Sequence, residues 1–138
     1  MLSNTLNTNE VKNAAGTEQE FNRLRTEGRE TEFGLITEAP ALTHRFSVKH
    51  QESGQGLAKR RRSLVRFDKT VISTVDSVTP VTVSAYIVLD APVGALQANT
   101  EMANVLAELG SLVFTQASST FLYDGTGNGA AVLLNGSL

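Results

Sequence analysis

The sequence has no cysteine and only two histidines. Without cysteine there is no disulfide framework and no thiolate metal site. No apolar run approaches the roughly 18 residues that cross a bilayer. The opening residues, MLSNTLNTNEVKN, lack the basic flank and apolar stretch of a secretory signal, so an intracellular site of synthesis is expected. Lys and Arg are missing altogether from residues 70–138. Whatever positive field the chain carries must come from upstream.

What is present is an ordinary folding composition: 138 residues, 41% hydrophobic and 19% charged, which argues against both disorder and membrane burial. That length is expected to form a single domain, residues 1–138, with one modest core. The net charge of −2 conceals a segregation: −3 over residues 1–43, +6 over 44–69 and −5 over 70–138. A uniform soluble surface would mix the signs.

Along the chain, TLNTNEV and TEQEFNRL flank the turn-rich KNAAG and predict a hairpin over residues 1–25. TEGRETE (26–32) reads as a polar connection. FGLIT (33–37) reads as a strand closed by Pro40. From Leu42 the period is two. Leu42, His44, Phe46, Val48 and His50 share one face, with Thr43, Arg45, Ser47, Lys49 and Gln51 on the other. After the turn ESGQG, Ser63, Val65 and Phe67 oppose Arg62, Leu64, Arg66 and Asp68. VISTVDSVTP reads as a strand end and a loop spanning Val71–Pro80. Then Val81, Val83, Ala85, Ile87 and Leu89 alternate with Thr82, Ser84, Tyr86, Val88 and Asp90. These strands, within residues 33–92, predict an antiparallel meander with one wet, basic face.

The period then changes to 3.6. Asn99 is a natural N-cap, Glu101 suits the first turn, and Met102, Val105, Leu106, Leu109, Leu112 and Val113 form an apolar stripe. ASSTFLYD (117–124) is expected to add a second short helix, so that helices occupy residues 98–124. The glycine-punctuated residues 125–138 read as a tail without an assignment.

Chemistry candidates fall away in turn. His44 and His50 lie about 20 Å apart on one strand by the strand rise, too far to share a metal, and read as structural or interface residues. DGTGNG (124–129) lacks both the Gly-Lys-Ser/Thr ending of a phosphate loop and the spaced acids of a calcium loop. No serine sits in a Gly-x-Ser-x-Gly elbow. No metal, cofactor or enzymatic activity is expected.

GLAKRRRSLVRF (56–67) remains. It is open to reading as a solvated loop, a localisation patch or a phosphate grip. Its surroundings favour the last: Arg66 continues the polar face, Arg45 and Lys49 lie opposite, and Ser47, Ser84 and Tyr86 share that side. Cations neutralise phosphates, hydroxyls bond base edges and an aromatic ring stacks an unpaired base.

The ordered set of elements resembles the coat proteins of small single-stranded RNA bacteriophages, the levivirus type. ALTHRFSVKHQESGQ resembles their central strand, RRRSLVRFDKTV the returning strand, and VSAYIVLDAP followed by NTEMANVLAELGSLV their last strand and long helix. The resemblance implies an α+β fold: an N-terminal hairpin, an antiparallel meander and two C-terminal helices that pack on the sheet of a dimer partner. It implies a homodimer that uses Met102, Val105, Leu106, Leu109, Leu112 and Val113, and assembly of dimers into an icosahedral virion shell made in the bacterial host cytoplasm. The single-stranded genome, and an RNA hairpin bound for packaging and translational repression, would meet the inner sheet face. The residues implied there are Arg45, Ser47, Lys49, Lys59, Arg60, Arg61, Arg62, Ser63, Arg66, Ser84 and Tyr86. The alternative is a cellular RNA-binding regulator that uses the same basic sheet face and forms no shell.

Overall fold

A computed structural model describes residues 2–94, 99–116 and 120–136. The chain divides into two compact units, one of Met1–Asn7 with Glu20–Gln97 and one of Thr8–Gln19 with Ala98–Leu138.

The first unit is a six-stranded antiparallel meander in sequential order. Its strands are β1 (Thr5–Leu6), β2 (Phe21–Glu27), β3 (Glu30–Leu35), β4 (His44–Ser53), β5 (Arg60–Ile72) and β6 (Pro80–Pro92). The alternation read from Leu42 onward places its residues as expected. Phe46 pairs with Phe33 on β3 and Phe67 on β5, which pairs with Ala85 on β6. Because strands lie about 4.8 Å apart, same-face rings in register must stack. Phe33–Phe46 centroids are 4.6 Å apart and Phe46–Phe67 centroids 4.8 Å apart. Phe21 meets Phe46, His44 and Phe67 edge-on. Phe21, Phe33, Phe46 and Leu6 are buried, and each fully buried ring contributes roughly 2 kcal/mol. This ladder is the core of the unit.

Two sequence expectations change here. Residues 26–32 are not a connection but the end of β2, a tight turn and the start of β3. Gly28 has φ +55° at the first central position of a two-residue turn, where hairpin geometry favours glycine. The polar strands around it hold by cross-strand pairs: Arg25 to Glu32 at 2.6 Å and the Thr26–Thr31 hydroxyls at 3.2 Å. Charge there marks a wet hairpin. The loop before β6 is also shorter than Val71–Pro80, because Val71 pairs with Val81 and Ile72 with Pro80. Residues 73–79 form the turn, in which Asp76 accepts the Val78 and Thr79 amides at 3.1 and 3.0 Å and the Thr79 hydroxyl.

The second unit contains α1 (Asn99–Phe114), a short ribbon of β7 (Thr115–Gln116) and β8 (Thr120–Phe121), and α2 (Asn128–Asn135). In residues 8–19 a Lys12–Glu18 bridge closes the turn at Asn13. The hairpin expected over residues 1–25 is thus realised as this closed turn and, in the other unit, as β1 on β2. Asn99 lies within α1, not ahead of it. The second helix is present, but not at 117–124. Part of that stretch lies outside the described residues, and Thr120–Phe121 is strand. The helix falls in the supposed tail, where Ala130, Ala131, Leu133 and Leu134 are strong helix formers. Its glycines permit close packing: a Cβ at Gly127 would lie 2.4 Å from the Val113 carbonyl oxygen, and one at Gly129 2.5 Å from that of Leu112.

Candidate nucleic-acid interface

Strand alternation divides the basic block between the two sides of the sheet. Register places Arg45, Ser47, Lys49 and Gln51 of β4 beside Asp68, Arg66, Leu64 and Arg62 of β5. On β6 their neighbours are Ser84, Tyr86, Val88 and Asp90. Arg60 shares this face by the same period of two. Between the strands lies an open depression of about 290 Å³ lined by Lys49, Gln51, Arg62, Leu64, Arg66, Tyr86 and Val88. Tyr86 is 66% exposed, so its ring is available for stacking.

Three residues proposed for that face lie elsewhere. Ser63 is on the aromatic side, its hydroxyl 2.9 Å from His50 Nδ1. Arg61 shares that side, paired in register with Glu52 and Ala91. Both follow from their odd offset relative to Arg62. Lys59 precedes β5 at the end of a single 3₁₀ turn and binds Glu52 at 2.7 Å, as does Arg29. These two cations hold the Glu52 carboxyl down to about 2.

On the Tyr86 face, cations and carboxylates interleave. Arg45 donates to Glu38 at 3.0 Å and Glu32 at 3.3 Å, and Lys49 lies 3.0 Å from Glu30. Arg60 donates to Asp90 at 2.8 Å, and Arg66 to Asp68 at 2.9 Å and Ser84 at 3.3 Å. The Ser84 hydroxyl also donates to Asp68. Arg66, then Ser84, hold the Asp68 carboxyl below its ordinary range. Arg25, then Arg45, do the same for Glu32 against burial. Arg62 has no hydrogen-bond or ion-pair partner among the described residues, although Asp90 is its register neighbour. Sequence alternation already set Asp68 and Asp90 on this face; it passed over Glu30, Glu32 and Glu38, which come from β3 and the β3–β4 loop, far from the basic run. The notable omission from the candidate residues is Gln51, whose even offset from Lys49 already placed it here.

His44 packs edge-on to Phe21 at 5.2 Å, and burial, aided by Lys69, lowers its pKa.

On α1, Val105, Leu106, Leu109 and Leu112 of the stripe are exposed, while Met102 and Val113 are half-buried.

A six-stranded sequential antiparallel meander followed by two helices is the fold that solved coat proteins of levi-like phages share with this chain. No protein-family model matches the chain, and no curated protein sequence does. The solved structures carry the likeness. The coat protein of bacteriophage EMS014 matches with TM-score 0.65 at 15% identity, over 87% of this chain and 87% of that one. The virus-like particle of Beihai levi-like virus 32 matches at 0.53 and 18% identity, over 64% and 71%. That of Wenzhou levi-like virus 4 matches at 0.51 and 18%, over 78% and 85%. At such identities the likeness establishes the fold.

Proposed function

We propose that this chain is the capsid subunit of a single-stranded RNA phage, without catalytic activity, which pairs as a homodimer and builds an icosahedral shell around its genome. The coat-protein fold over 87% of the chain carries the reading. Two further features support it. β6 ends the sheet with 13 residues and has prolines only at its termini, so its outer edge presents unpaired backbone groups. Along α1, four stripe residues stay exposed. A second copy answers both needs, its sheet joining edge to edge and its helices lying on the partner's sheet. The Tyr86 face then lines the interior and holds RNA, with Arg62 and neighbouring cations on phosphate and Tyr86 stacked on an unpaired base of a hairpin whose occupancy represses translation. Expression of the chain alone in bacteria, followed by electron microscopy and nuclease digestion, tests this. Closed shells holding nuclease-protected RNA are expected. Soluble RNA-binding dimers without shells would favour the regulator instead.

A further inference from the structure

Of the cations on the Tyr86 face, Arg45, Lys49, Arg60 and Arg66 each touch a carboxylate of the same chain. We infer that the sheet's own carboxylates hold the phosphate positions of this face until RNA displaces them, with Arg62 as the open point of entry. This rests on the RNA-binding reading above and adds its regulation: binding is an exchange of carboxylate for phosphate. The chemistry favours exchange because the two anions compete for the same N–H donors. The pairs are also weakly held. Arg60 and Asp90 side chains are 50% and 53% exposed, and Lys49 and Glu30 50% and 36%, so solvent screens them. A displaced carboxylate regathers counterions as the phosphate sheds them. The salt dependence of binding is therefore shallower than the count of basic side chains implies.

The test compares the parent with two exposed substitutions on different strands. Asp90→Asn takes the carboxylate from Arg60, leaving only its bond to the residue-90 main-chain carbonyl, and Glu30→Gln takes it from Lys49. Glu10→Gln is the control, because among the described residues the Glu10 carboxylate bonds only Thr8, and its loss removes the same charge without freeing a cation. Filter binding of an unstructured uridine-rich RNA is followed between about 50 and 200 mM salt, with thermal melts to confirm folding. Either test variant alone suffices if the other fails to fold. Asp90→Asn and Glu30→Gln should each bind roughly two- to fivefold tighter at low salt, with the slope steepened by up to about 0.7. The control should match the parent. If the test variants gain no more than the control, the exchange is refuted while RNA binding stands. If neither parent nor variant binds RNA, the RNA-binding reading itself falls, and the exchange with it.

Discussion

Arg61 and Arg62 are adjacent, chemically identical and assigned to opposite sides of β5, so exchanging each for alanine isolates the effect of facing. Arg62 stands beside Gln51 and Asp90, at the depression with Tyr86. Arg61 stands beside Glu52 and Ala91 on the aromatic side. If Arg62 makes one phosphate contact, its loss removes a hydrogen bond to a charged group, worth roughly 1.5 kcal/mol at an exposed site, or about tenfold in affinity. It also lowers the slope of log K against log salt by about 0.7, so that the two proteins differ about two- to threefold in how far affinity falls between 50 and 200 mM salt. Arg61→Ala should leave both affinity and slope within error. The assay is filter binding of unstructured RNA over a salt series, with matched melting temperatures as the folding control. Equal losses from the two substitutions would show that the block acts as a diffuse charge, and the assignment of RNA to one face would be wrong. No loss from Arg62→Ala would remove that residue from the interface.

Tyr86→Ala should weaken a preferred hairpin by about 1–3 kcal/mol while barely altering bulk RNA content, as read by hairpin titration beside nucleic-acid content of purified shells. Phe46→Ala opens the middle of the ring ladder and should cost about 3–5 kcal/mol in denaturant unfolding; a cost below 1 kcal/mol would mean the stacked rings contribute little. Leu106→Asp should leave no soluble dimer by sedimentation, because pairing would bury an unmatched carboxylate at a cost of several kcal/mol. Asp76 is held down to about 2 by the Thr79 hydroxyl first, then by the Thr79 and Val78 amides. A carboxylate with a depressed pKa stabilises its loop above the ordinary range and loses that contribution as pH falls from about 3.8 toward 2. Amide protection factors at Val78 and Thr79 should drop across that window, and Asp76→Ala should abolish the protection at pH 6.

The readable parts of the sequence were those with a clean period. β4, β5 and β6 alternate without interruption, so the facing of Arg62, Arg66 and Tyr86 followed from counting by twos. α1 was equally plain from its stripe. The polar hairpin of β2 and β3 was hidden because its strands bury little around Glu27–Glu30 and hold by pairs such as Arg25–Glu32. Such pairs have no periodic apolar signal. α2 was missed because Gly127 and Gly129 read as turn residues, when their role is to let backbone approach the Val113 and Leu112 carbonyls. Only the packed neighbour shows why a side chain cannot stand there.

By itself the sequence determined the order of elements, the side of the sheet on which each of β4, β5 and β6 displays its residues, and the concentration of positive charge in residues 44–69. These are local properties, set by backbone periods of 2 and 3.6 that need no partner. The electrostatic state of the face was decided only by the tertiary structure. Register across the meander brings Glu30 and Glu32 from β3, Glu38 from the following loop and Asp90 from β6 onto Lys49, Arg45 and Arg60. Coulomb attraction depends on distance in space, which strand pairing sets across separations of 30 residues as readily as across three. A run of cations in sequence thus becomes a mixed lattice in which Arg62 alone is open among the described residues of that face.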